Sequence, residues 1–414
     1  MKKILLLRSL DISVVNPHIY SINQYAKMKE NELVLDLAYA DGLPEDNPTV
    51  TNAEKYFEGK VHYFPANASV EQLAQFIVEN KYDAVVSISM PDSNNFRDSQ
   101  LKLLLEREYN IKVIAHPLES CTIMCDKYLT EKHLQENGFN AIKSYLINTW
   151  QEAISVSSVI QYPLVVKPIN LCLSEAVEVI HNENQLSRYF ERFGYSKIIQ
   201  KFIKGTQISV EVIGFNKSYQ SMVAVSKEET DFGEQCPLEK FRIGPVKQTI
   251  ASNNELCRIS ENIAESLNIE GAIEIEFIVS DDGIYVMEIN PRTSGITNLS
   301  IASTGLNTYI LLIEMAQGRF DKSSLEKKTN YACEFPIKNE ISYEDFTYLL
   351  KLPEVVHFER NKPEWFDTKE NSNLMNFGRF YITGEDKSQI IRALKVFEGV
   401  TKSLDFNDKI SSYI

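Results

Sequence analysis

A chain of 414 residues, 43% hydrophobic and 24% charged, has material for about two to four globular domains with ordinary cores. Its formal charge of −14 argues against a nucleic-acid partner, which is bound through clustered Lys and Arg. No apolar run approaches the roughly 18 residues that span a membrane. The six cysteines are scattered without a CxxC pair, which points to free thiols in a reducing cytoplasm and not to a zinc site.

The first part alternates strands and helices. MKKILLLRSLD reads as a first strand over Ile4–Leu7, not a signal peptide. Further strands are expected at Leu33–Ala40, Ala84–Ile88 and Val113–Ala115. Ser69 and Gln72 have capping-box spacing ahead of Leu73, Phe76 and Ile77, and Leu101, Leu104 and Leu105 mark another helix. Such alternation implies a parallel sheet with helices on both faces. No glycine-rich fingerprint follows the first strand, so a dinucleotide site is not expected there.

Lys127 opens a helix that ends at Gly138. Strand-like runs follow at Leu164–Lys167 and Lys197–Ile203, with a helix near Asn184–Phe193 between them. Lys167 closes an apolar strand next to Pro168, a place from which a lysine points either into a cleft or into solvent. Ile208–Phe215 alternates and should pair with Ser221–Val225. Residues 226–248 read as a polar, irregular loop, a candidate lid. Helices are expected at Glu255–Leu267 and Thr308–Ala316. Strands at Tyr331–Ile337, Val355–Glu359 and Phe377–Ile382 then precede a helix around Lys387–Phe397.

The most informative segment is GAIEIEFIVSDDGIYVMEINPRTSG, Gly271–Gly295. Alternation puts Glu274, Glu276 and Ile278 on one face of a first strand, and Val286, Glu288 and Asn290 on one face of a second. A three-residue loop, Asp281-Asp282-Gly283, pairs Ser280 with Ile284 and sets Glu276 opposite Glu288. Opposed like charges about 5 Å apart destabilise a hairpin, and a divalent cation between them removes the penalty. Hard oxygen donors suit Mg²⁺, which takes one or two carboxylates with substrate phosphates. Arg292 continues the same projection past Asn290. A soluble hairpin face accounts for one glutamate, but poorly for Glu276, Glu288, Asn290 and Arg292 together.

In order, these pieces resemble the ATP-grasp superfamily of carboxylate–amine ligases. The resemblance runs from about Asp126 to Gly318 and rests on VVKP (Val165–Pro168), IQKFIKGTQ (Ile199–Gln207) and MEINPR (Met287–Arg292). Within the superfamily the chain looks most like the L-amino acid ligases, which make dipeptides. The implied fold class is α/β, α+β in places: an ATP-grasp fold with an N-terminal parallel-sheet domain. The implied units are residues 1–120, 121–205 (central lid domain) and 206–414 (catalytic domain with a terminal α/β extension).

The resemblance also implies roles and partners. Lys127, Lys167 and Ser174 would contact ATP phosphates. Gln200, Lys201, Phe202 and Ile203 would form a hinge reading adenine, and Gln207 would contact ribose. Glu276, Glu288 and Asn290 would hold Mg²⁺, and Arg292 would stabilise an acyl phosphate. Expected partners are amino acids and a second copy of the chain, with no nucleic acid and no membrane. Three departures stand out: Gln207 and Gln200 replace acidic residues, and the loop Asn170–Ala176 lacks glycine. Other ATP-grasp chemistry, such as carboxylation, and a non-catalytic ATP-binding protein stay open as alternatives.

Overall fold

A computed structural model of the chain describes residues 1–9, 17–40, 42–43, 57–90, 92–170, 176–230, 240–246, 251–337, 342–359 and 378–401. Three sheets organise them. The first is parallel, with β1 (Lys2–Ser9), β2 (Leu33–Tyr39), β3 (Val61–Tyr63), β4 (Ala84–Ser89) and β5 (Lys112–Ile114) in the order β3-β2-β1-β4-β5. The short β3 has no apolar run and escaped the sequence reading. Ile4 and Leu6 pack into one core, Leu5 and Leu7 into another. Burial on both faces explains why β1 is uniformly apolar instead of alternating. Ser69 caps helix Val70–Glu79 through the expected reciprocal capping box. β1 lies between β2 and β4, a switch in strand order, and in open α/β sheets the crevice at such a point faces ligands. Helix Asp92–Tyr109 begins just beyond β4.

The second sheet is antiparallel: β6 (Ser144–Ile147), β7 (Leu164–Pro168), β8 (Glu178–Ile180) and β9 (Lys197–Lys201), in the order β6-β9-β7-β8. Helices Trp150–Ile160 and Glu183–Phe193 flank it. Leu186, Tyr189 and Phe190 pack with Leu164, Val166 and Ile199.

The third sheet has eight strands in the order β14-β13-β10-β11-β12-β15-β17-β16. They are β10 (Thr206–Phe215), β11 (Ser218–Glu229), β12 (Arg242–Gly244), β13 (Gly271–Ser280), β14 (Gly283–Asn290), β15 (Tyr331–Ile337), β16 (Val355–Glu359) and β17 (Gly378–Gly384). One face of β10, β13 and β14 is apolar and covered by helix Asn253–Ser266. Tract 226–248, expected to be irregular, instead continues β11 to Glu229 and forms β12. Ser226 pairs there with both Ile208 and Ile243. Positions 231–239 and 247–248 of that candidate lid lie outside the described residues. Helices Thr297–Thr304 and Tyr343–Leu350 were also not anticipated.

The parallel sheet docks on the third through Ile213, Phe215, Ala272 and helix Thr308–Gln317. Lys102 bridges to Glu270 at 2.7 Å. No single helix among the described residues is long and apolar enough to cross a membrane.

Candidate active site

Glu276 does face Glu288 across the hairpin, by a different route from the expected one. Ser280 pairs with Gly283, so the loop is only Asp281-Asp282, and a bulge at Met287 restores the pairing. Glycine suits position 283, where φ is +139°. Before the bulge the residues interchange faces relative to the sequence reading. Val286 joins Phe277 and Ile289 in the apolar core, and Tyr285, paired with Ile278, takes the acidic face. Beyond the bulge, Glu288 and Asn290 stand where alternation put them.

The carboxylates are met by lysines from elsewhere. Lys127, first residue of helix Lys127–Glu136 behind the N-cap Asp126, reaches Glu288 at 2.9 Å. Lys227 of β11 reaches Glu276 at 2.9 Å and Glu274 at 3.4 Å. Burial pushes the Glu288 carboxyl up, but Lys127 and Lys167 outweigh it and hold the group below its ordinary range. At Glu276 burial prevails over Lys227, and the carboxyl rises. Lys167 is 4% exposed; burial lowers its pKa against the pull of Glu288.

Asn290 and Arg292 finish the row. Asn290 donates Nδ2 to Glu274 (3.1 Å) and Glu276 (3.2 Å), and its Oδ1 accepts from Arg292 Nη2 at 3.4 Å. Carboxylates on one side and a guanidinium on the other fix the amide that way round. Its oxygen therefore faces Arg292 and not the Glu276–Glu288 pair, and ligation of a metal by Asn290 requires the amide to turn. Arg292 Nε donates to Asp92 Oδ1 at 2.8 Å, placing the guanidinium at the crevice beyond β4.

Two opposed carboxylates match the one or two that Mg²⁺ takes alongside waters and phosphate, so the donor set of Glu276 and Glu288 fits that ion. Among the described residues no larger acidic or His/Cys cage exists.

Lys201, Phe202 and Ile203 line a space of about 920 Å³ with Tyr145, Asp281 and Tyr285. Neither Glu276 nor Glu288 borders it; Glu288 lines a narrower crevice with Lys127, Gln200 and Met287. The side chain of Gln200 is turned away, donating to Ile142 O at 3.0 Å and Ser144 Oγ at 2.8 Å. Gln207 accepts from Lys240 Nζ at 3.0 Å. Ser174 lies outside the described residues.

Sequence reasoning missed Lys227, Asp92 and Glu211. For Lys227 the signal was alternation continuing past Val225. For Asp92 it was position alone, just after the strand bordering the switch point. Glu211 of β10 neighbours Glu274 and accepts from Thr308 Oγ1. Its complete burial lifts its pKa to about 7.

Residues 124–296 match the family model described as ATP-grasp domain. The chain thus carries an ATP-grasp domain, and the three-sheet architecture is that of ATP-grasp proteins. A carbamoyl-phosphate synthase of Methanobrevibacter smithii is 28% identical over 267 residues, covering 64% of this chain and 72% of the relative. A carbamoyl phosphate synthase large chain of Clostridium acetobutylicum is 22% identical over 50% of this chain, a stretch that spans only 20% of that relative. The crystal structure of an L-amino acid ligase from Bacillus licheniformis superposes with a TM-score of 0.69 at 16% identity, covering 96% of this chain and 97% of that one.

Proposed function

We propose that the chain is an ATP- and Mg²⁺-dependent ligase that joins the carboxylate of one amino acid to the amine of another through an acyl phosphate. The observation that carries this reading is the row Glu276–Glu288–Asn290–Arg292, with lysines at one end and the crevice of the parallel sheet at the other. In the first step the γ-phosphoryl group passes to a substrate carboxylate, giving an acyl phosphate and ADP. In the second the amine attacks the acyl carbon, phosphate departs and the amine loses a proton.

Lys127 would exchange Glu288 for the phosphates, Lys167 would contact them too, and Glu276 and Glu288 would hold the cation. Bound there, Mg²⁺ supplies charge neutralisation during transfer. Arg292 would hold the acyl-phosphate oxygens where the crevice admits the carboxylate, as a preorganised donor. Lys201 to Ile203 would read adenine through the backbone. Residues 1–120, 121–205 and 206–414 are the proposed units, working in the cytoplasm as a homodimer.

The test is phosphate release across a matrix of amino acids, singly and in pairs. Release should require both a carboxylate and an amine donor, and Glu288→Ala should abolish it with an unchanged circular dichroism spectrum. Full turnover in that variant sinks the site assignment. The kinship with carbamoyl-phosphate synthases favours one second reading, activation of bicarbonate. Release that needs bicarbonate and ignores amino acids selects it.

A further inference from the structure

Lys227 sits in the acidic row, yet no step of the proposed ligation uses it. It belongs to β11, the carboxylates it touches belong to β13, and β10 lies between those strands. Two strand spacings are about 10 Å, a gap that only a long side chain crosses. Opposite Glu276, β10 carries Ser209, short enough to leave the span open. Lys227 Nζ ends 2.9 Å from Glu276 Oε2 and 3.4 Å from Glu274 Oε1, within reach of both.

The two carboxylates differ in depth: the side chain of Glu276 is 15% exposed and that of Glu274 only 5%. Asn290 Nδ2 donates to both, 3.2 Å from Glu276 Oε1 and 3.1 Å from Glu274 Oε2. For Glu276 and Glu288 to hold a divalent cation, Glu276 must release Lys227. For Asn290 to join them its amide must turn, which takes the Nδ2 donor away from Glu274. A carboxylate so nearly sealed is costly to leave short of donors. The ammonium that Glu276 releases already lies beside it.

We propose that Lys227 is a two-position counter-ion, lying on Glu276 here and passing to Glu274 when Glu276 and Glu288 take a divalent cation. The inference rests on the metal reading of those two glutamates. Lys227 and Glu274 are positioning residues: together they set how readily Glu276 is given up.

The test uses Mn²⁺ as the probe, its binding to the full chain read from the electron paramagnetic resonance of the free ion. Lys227→Met removes the competitor for Glu276 and should tighten binding about tenfold, and Glu274→Gln removes the carboxylate that receives the ammonium and should weaken it about tenfold. A plain change of one charge gives the same two signs, so the double variant separates the explanations. Without Lys227 there is no ammonium for Glu274 to receive. Adding Glu274→Gln to Lys227→Met should therefore leave Mn²⁺ binding where Lys227→Met put it. Additive effects, with the double variant binding like the natural chain, overturn the inference. Unaltered binding in Glu274→Gln also overturns it and does not depend on Lys227→Met folding. If the natural chain binds no Mn²⁺, the metal reading falls and the inference with it. Binding that is lost in Glu288→Ala but additive in the other variants overturns the inference alone.

Discussion

In the hairpin, Glu276 and Glu288 rest against lysines from other elements, with side chains 15% and 21% exposed. Further along the same sheet, Glu334 of β15 lies between Arg242 of β12 and Arg379 of β17, and only 1% of its side chain is exposed. Both clusters pair acids with bases, but water reaches only the first. Charges near solvent can change partners at modest cost, and a ligand can replace a lysine's carboxylate. Charges sealed in a sheet cannot do so, because separating them strands an ion in a poor dielectric. The first cluster therefore has the character of a site and the second that of a fixed joint. Arg242 fits the joint by also donating to Gly295 O at 2.6 Å. A Cβ at position 295 would come within 2.9 Å of its guanidinium, so glycine keeps that space clear.

The largest effect should come from the joint. Glu334→Gln leaves two guanidiniums short of their carboxylate and should cost about 3–5 kcal/mol of stability, read from the urea midpoint. A loss below about 1 kcal/mol would mean water reaches this cluster as well, erasing the contrast. Next comes Arg292→Lys, which keeps the charge but loses the planar fork. It should lower phosphate release by about 10²–10³ while the urea midpoint barely moves. A fall in stability with normal turnover would place Arg292 with the joint.

Glu211 sharpens the comparison through pH. Its carboxyl is raised from 4.5 to about 7 by burial, so the folded chain keeps a proton that the unfolded chain releases. The resulting stabilisation is fully present below pH 4.5 and is lost as pH rises through about 7. Glu211→Gln should remove that slope, a difference of about 3 kcal/mol between the two ends of the window. Identical stability–pH curves for the two proteins would show that Glu211 is hydrated. The smallest effect is remote: Ser69→Ala removes a helix cap on the parallel-sheet domain and should cost about 1 kcal/mol without touching phosphate release. A change in turnover there would show that the two regions are coupled through the whole fold.

Much of this was legible in the sequence because the signals are local. Ser69 and Gln72 announce their helix, and an assumed three-residue loop puts Glu276 opposite Glu288, a pairing the chain reaches through a shorter turn and a bulge. Lys127 and Lys167 were found as cations at element ends, and the contact of Lys127 with Glu288, with Lys167 acting on the same carboxylate from farther off, follows from the fold. What escaped depends on distance. Asp92 is 200 positions from Arg292, and no periodicity connects them. Lys227 was hidden in a polar tract whose β structure is set by pairing with β10 and β12. The orientation of the Asn290 amide is likewise set by neighbours on both sides, not by its own strand.

The extra residue at Met287 has a consequence for how this hairpin tolerates change. It acts as a frame shift inside a strand: odd positions face the cleft on the turn side, even positions on the other. Deleting Met287 would leave the turn intact and bring Glu288 directly after Val286, where a regular strand still sets it opposite Glu276 on the cleft face. The bulge is thus a removable insertion, and neither the two-residue turn nor the facing of Glu276 and Glu288 depends on it.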